Sequence, residues 1–239
     1  MEKLKVYAVC SLSLICIFLF GGLMYGALNY DEAVRVSAEN SVQPVVVIDA
    51  GHGGEDGGAS ANGLLEKDIN LSIALKLRDM LTVSGYKVVM TRDSDVSVYD
   101  STAGTTREKK VSDLKNRVKV INGGKNNILV SIHQNKFEQS KYFGTQMFYS
   151  KNNAKSAVLA EELRKSVTGL LQPENKRELK QADSSIYILD KAEVPAVIAE
   201  CGFLSNEEEA KKLADADYQQ KMAFSIYSGI MGYVNKGRA

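Results

Sequence analysis

Residues 45–54 read Val-Val-Val-Ile-Asp-Ala-Gly-His-Gly-Gly, and this stretch decides the fold. Its first six residues make a continuous apolar, β-branched run that ends in glycines, the pattern of a strand buried on both faces of a parallel sheet. Pro44 stands directly in front and opens the ordered domain. Downstream, Ile69, Ile73, Leu77, Met80 and Leu81 fall on one face of a helix that starts near Asp68 and is ended by Gly85. Residues 87–91 read as a second strand. Leu114, Val118 and Ile121 form another helical stripe, stopped by Asn122-Gly123-Gly124.

Residues 127–133 (NILVSIH) and 145–149 (TQMFY) give a third and a fourth strand. Ala160, Leu163, Val167 and Leu170 define a helix closed before Pro173, and residues 186–189 and 196–200 (AVIAE) supply the last two strands. Asn206 and Glu209 have the spacing of a helix-starting capping box. A final helix covers about 217–234. Strands alternating with helices predict a single α/β domain at 44–237, with a mostly parallel central sheet flanked by helices. Residues 93–110 are polar and aperiodic, and read as a long loop that is either a substrate lid or a mobile surface segment.

The start of the chain differs in kind. Residues 6–30 run without a charge, with Lys3 and Lys5 before them and Asp31 and Glu32 after. A helix of that length reaches about 37 Å, enough to cross a bilayer core. The flanking charges orient it with the N-terminus in the cytoplasm. Residues 1–30 therefore read as a transmembrane anchor, 31–43 as a linker, and the rest as an exported domain held at the outer face of the cytoplasmic membrane. The alternative is a cleaved signal peptide and a secreted domain, although Gly26-Ala27-Leu28 is a poor cleavage site.

Composition narrows the function. Of 30 basic and 29 acidic residues, Lys3, Lys5 and Glu2 precede position 31, leaving 28 of each sign beyond it. A neutral domain carries no electrostatic footprint for nucleic acid. Cys10 and Cys16 belong to the apolar segment, so Cys201 is alone in the domain and no disulfide within it can form. Only two histidines exist, His52 and His133, and both follow or end a predicted strand.

Ligands of open α/β sheets gather beyond the carboxyl ends of the strands. His52, His133 and Glu200 stand at such ends, and Glu66 lies on the connection leaving the first strand. Each has a plainer reading alone: His52 as a loop residue bonded to backbone, His133 as a core histidine, Glu66 as an acid at a helix N-terminus. The glycine run around His52 also resembles a phosphate cradle, but it lacks the lysine of a P-loop. Glu200 is harder to explain structurally, because a carboxylate closing an apolar strand is costly to bury unless it is paired or used. Together the four suit a catalytic zinc site, with His52, Glu66 and His133 as ligands and Glu200 as general acid and base.

These motifs resemble those of the zinc-dependent N-acetylmuramoyl-L-alanine amidases, bacterial cell-wall hydrolases also called amidase type 3. The resemblance runs from about Pro44 to Tyr233 through VVVIDAGHGGEDGG, GLLEKDINL, YKVVMTRDSD, DLKNRVKVIN, ILVSIHQN and VPAVIAECGFLSNEEEAKKL. It implies one zinc per chain on His52, Glu66 and His133, with Glu200 catalytic and Asn135 and Asp190 contacting substrate. It implies hydrolysis of the amide between N-acetylmuramic acid and the L-alanine of the peptidoglycan stem peptide. Gln134, Asp190 and Cys201 depart from the common family pattern.

One anchor and one catalytic domain, with no wall-binding repeats, is similar to the sporulation amidases of endospore formers. That likeness implies a role in making muramic-δ-lactam in the spore cortex, next to a muramic acid deacetylase and with an export-side lipoprotein partner. The location implied is the forespore intermembrane space. Two other functions fit the same residues: a silent peptidoglycan-binding anchor, and a metal-dependent deacetylase of wall sugars.

Overall fold

The apolar run forms strand β1 (Val45–Ala50), and from Val46 onward it is enclosed. Its side chains alternate between two cores: Val46, Ile48 and Ala50 enter one, Val47 the other. The neighbouring strands split in the same way. In β5 (Asn127–Asn135), Ile128, Val130 and Ile132 join the first core and Leu129 the second. In β8 (Ala196–Phe203), Val197, Ala199 and Cys201 join the first, and Ala196 and Ile198 the second. A strand that feeds two cores must be apolar at nearly every position, which is why these three read as unbroken runs.

This is a computed structural model, and it describes Gly21, Gly22, Met24, Tyr25 and residues 43–237. The chain divides into two units, Met1–Val42 and Gln43–Ala239. The expected anchor at 6–30 and linker at 31–43 lie almost wholly outside the described residues. Among the described residues no helix is long and apolar enough to cross a membrane.

Helices α1 (Glu66–Val83), α3 (Lys155–Leu170) and α6 (Ala216–Lys236) supply Ile73, Leu163 and Ile226 to the first core. Helices α2 (Thr106–Ile121) and α4 (Tyr187–Lys191) supply Ile121, Ile188 and Leu189 to the second. With β4 (Val88–Met90), β6 (Gln146–Tyr149) and β7 (Lys180–Gln181), the sheet has the order β4-β1-β5-β8-β6-β7. The pairs from β4 to β8 are parallel, β6 is antiparallel to β8, and β7 is parallel to β6. Leaving β1, the chain crosses one face through α1 to β4; it returns across the other face through α2 to β5. Connections that diverge between β1 and β5 open a crevice at their carboxyl ends.

The structure corrects four readings. Residues 186–189 are not a strand, because Tyr187–Lys191 forms the short helix α4 that presses Ile188 and Leu189 onto the second core. The loop at 93–110 is shorter than expected: Thr105 and Glu108 close a reciprocal capping box, and α2 begins at Thr106. Helix α1 starts at Glu66, so Glu66 is its first residue. Asn206 does cap α5 (Glu207–Ala214). The Glu209 carboxylate, however, accepts from Gly144 N and Phe203 N and leaves the box half formed. Between β1 and α1 an antiparallel ribbon also appears, β2 (Ser60–Ala61) with β3 (Leu64–Leu65). Its turn is Asn62-Gly63, with φ of 51° and 77°.

Candidate active site

Strands β1 and β5 run in register to Ala50 and Ile132, so the residues beyond them emerge side by side. His52 and His133 stand there with ring centroids 5.0 Å apart and planes at 76°. Glu66 reaches both from the start of α1: its Oε2 is 3.2 Å from His52 Nε2, and its Oε1 is 2.8 Å from His133 Nδ1. One ligand atom from each of the three lies within 4.8 Å of the others, and among the described residues no other such group forms.

Each member is held by the local chain. His52 has φ 62°, a left-handed conformation that a side-chain-bearing residue adopts only under constraint. The adjoining turn is closed by paired backbone hydrogen bonds between Gly53 and Asp56. His52 Nδ1 bonds Asp56 Oδ2 at 2.9 Å, which leaves Nε2 directed at Glu66. Such a carboxylate behind an imidazole fixes its tautomer and orientation. On Glu66, Oε2 accepts from Ala59 N, and Oε1 accepts from Gln134 N and Asn70 Nδ2. Close approach requires glycine at two points: a Cβ on Gly51 would overlap the His133 ring, and one on Gly58 would press on Glu66 and His52.

Beneath the histidine loop lies a buried network. Arg117 Nη1 donates to Asp49 Oδ1 at 2.7 Å and to Ala50 O at 2.8 Å, while Nη2 donates to His52 O at 2.7 Å. Arg92 donates to Ala50 O and Gly51 O. Ser131 and Thr91 donate to the Asp49 carboxylate. The carbonyls of residues 50, 51 and 52 are therefore all fixed by two buried guanidinium groups. None of Asp49, Asp56, Arg92 or Arg117 was singled out from the sequence. A signal existed for Arg117, which sits inside the apolar stripe of Leu114, Val118 and Ile121.

The charge balance suits a cation. Burial works against the ionised Glu66, yet the hydrogen bonds from His133 and His52 hold its carboxyl well below the usual range. Burial likewise works against charged His52, but Asp56 and Glu66 outweigh it and raise the imidazole to about 9. Two imidazoles and one carboxylate converging on a point where positive charge is favoured fit a catalytic zinc set.

Glu200 lies opposite His133 in the β5–β8 register. Its Oε2 is buried without a hydrogen-bond partner. Burial pushes its carboxyl up to about 7, with His133 and His52 opposing and Glu66 adding to the rise. Asn135, the last residue of β5, is half-buried at the same rim and pairs with Phe203. Asp190 is not brought there. Its carboxylate pairs with Lys191 and Lys151, and its carbonyl accepts from Asn152, at the edge where the chain approaches the start of β8. Cys201 points into the first core, and burial followed by the neighbouring Glu200 charge pushes its thiol up, so it is no nucleophile.

A mostly parallel α/β sheet with a His-Glu-His cluster and a buried, unpartnered carboxyl at one rim is the arrangement of a hydrolase with a candidate metal centre. The chain belongs to the family Amidase_3, N-acetylmuramoyl-L-alanine amidase, which matches residues 46–231, and it is a peptidoglycan amidase of that activity. Among its relatives is the germination-specific N-acetylmuramoyl-L-alanine amidase of Bacillus subtilis (strain 168), 38% identical over 237 residues, spanning 97% of this chain and 95% of that one. Among solved structures it is similar to the CwlD amidase from Clostridioides difficile in complex with the GerS lipoprotein. That match has 44% identity, a TM-score of 0.78, and covers 81% of this chain and 99% of that one. Another is the amidase AmiC2 of Nostoc punctiforme, with 30% identity, a TM-score of 0.69, and coverage of 82% and 99%.

Proposed function

We propose that the chain hydrolyses the amide between N-acetylmuramic acid and L-alanine with one zinc held by His52, Glu66 and His133 and with Glu200 as general base and acid. The observation that carries this is the buried Glu200 carboxyl, without a partner and raised to about 7, next to the three-donor cluster. When bound, zinc supplies Lewis acidity toward the carbonyl oxygen and toward water. Glu200 takes a proton from the attacking water and delivers it to the alanine nitrogen as the C–N bond breaks. The products are a glycan lactyl carboxylate and a stem peptide with a free amino terminus. In this reading Asn135, half-buried at the end of β5, touches substrate, and Asp190, paired with Lys191 and Lys151, does not.

We also propose that this reaction serves spore cortex maturation, on the support of near full-length similarity to a germination-specific amidase. Removing the peptide frees the lactyl carboxylate; a muramic acid deacetylase then frees the amine on the same sugar, and loss of water closes a δ-lactam. A lipoprotein partner on the export side is part of the proposal, by analogy with the complexed relative. So are the membrane anchor at 1–30 and a location outside the cytoplasmic membrane.

Mass spectrometry of peptidoglycan incubated with the chain tests the reaction. Released peptides beginning in L-alanine, and lactam after added deacetylase, are expected. Loss of acetate with the peptides retained would instead assign deacetylation, and wall binding with no product would assign a silent anchor.

A further inference from the structure

Beside the catalytic rim, the segment between β5 and β6 meets the segment before β7 in a groove of about 280 Å³ lined by Lys141, Tyr142, Phe143, Asn175, Lys176 and Arg177, with Glu174 as its acid. Arg177 is half-buried, and its position is built. Its guanidinium lies 4.5 Å over the Phe203 ring and 5.9 Å from Tyr142, and its Nε donates to Phe143 O at 2.7 Å. Nη1 reaches only a 3.5 Å contact with Gln146 Oε1. Among the described residues Nη2 has no acceptor, and Arg177, Lys141 and Lys176 form no ion pair. A planar cation stacked on an aromatic face, with Nη2 open and Nη1 held only by the long contact to Gln146, is arranged to capture a carboxylate.

The groove lies at a defined distance from the chemistry. His133 on β5 pairs with Glu200 on β8, Glu200 pairs with Gln146 on β6, and Gln146 touches Arg177. From Glu200, one strand spacing of about 5 Å, the Gln146 side chain and its 3.5 Å contact put the Arg177 guanidinium on the order of 10 Å from the catalytic carboxyl. An extended peptide advances about 3.4 Å per residue, so the groove stands two to three residues from the bond that is cut.

We infer that this groove is the subsite for the acidic part of the stem peptide, in which Arg177, aided by Lys141 and Lys176, holds a carboxylate two to three residues beyond the scissile amide. The inference rests on the amidase reading of the neighbouring site. Phe137 and Phe143, 53% and 52% exposed, extend the same wall and offer apolar surface to the peptide stems.

The test compares two synthetic substrates on the full chain: an N-acetylmuramoyl-L-alanyl peptide with free carboxylates at its second and third residues, and the same peptide with those carboxylates amidated. Arg177→Met should raise KM at least tenfold on the first with kcat changed less than twofold, and should leave the second unaffected. Arg177→Lys should recover part of the loss, and Lys176→Gln, at an exposed position, should shift KM in the same direction by about twofold. Equal losses on both substrates would make Arg177 merely structural, and no loss on either would empty the groove of function; both overturn the inference. Failure of the unaltered chain to cut either substrate would instead overturn the amidase reading, and the subsite with it.

Discussion

Glu200→Gln lowers turnover by about 10²–10⁴-fold and leaves zinc uptake unchanged, the range expected when a positioned general base and acid is removed. The amide has the shape of the carboxylate but neither accepts the proton of water nor returns it to the leaving nitrogen. Zinc uptake survives because Glu200 is not among the three converging donors. Its buried Oε2 has no partner to lose, so folding is little disturbed. The base must be ionised to act, and its carboxyl stands at about 7. Activity therefore rises with pH through that region, and a bound dication moves the rise to lower pH by favouring the anion. Near-normal turnover of Glu200→Gln, with a rate flat across that rise, would remove Glu200 from the mechanism.

Arg117→Met destabilises the domain by about 3–5 kcal/mol, the range for breaking a buried ion pair from one side. Asp49 and Arg117 are both buried, and the substitution leaves the Asp49 charge enclosed with only Ser131 and Thr91 as donors. It also releases the His52 carbonyl and leaves Ala50 O with Arg92 as its remaining side-chain donor, so metal affinity falls together with stability. Arg117→Met combined with Asp49→Asn loses less, because no charge is then stranded. Denaturant unfolding of the three variants reads this directly. Burial alone would raise the Asp49 carboxyl, but Arg117 leads the groups that hold it at about 2. This stabilisation is present above the ordinary value of 3.8 and is lost as pH falls through about 2. A single-variant loss below 1 kcal/mol would show the network to be incidental.

What the sequence made legible followed from how each segment is buried. β1, β5 and β8 are enclosed on both faces, and their unbroken apolar runs announced both the strands and the rim where His52, His133 and Glu200 meet. Ile186 to Leu189 read as a strand because four residues cannot distinguish a period of two from one of 3.6, and two adjacent buried side chains, Ile188 and Leu189, suit either. The start of α2 was hidden because its buried residues, Arg117 and Ile121, come only in its last turns, although Thr105 and Glu108 carried a capping signal. Asp49 passed unnoticed within an apolar run, and its partner lies 68 positions away on another element. Asp190 is a substrate contact only by the family resemblance, from whose common pattern it departs. Helix α4 instead carries it toward the opposite end of β8.

The most direct test of the metal-dependent mechanism is muropeptide mass spectrometry on the chain stripped of metal by a chelator and then titrated with zinc. Release of L-alanine-terminated peptides is expected to stop on stripping and to return in full at one zinc per chain. His133→Ala is expected neither to bind that zinc nor to recover. Undiminished peptide release from the metal-free chain would contradict the metal-dependent mechanism.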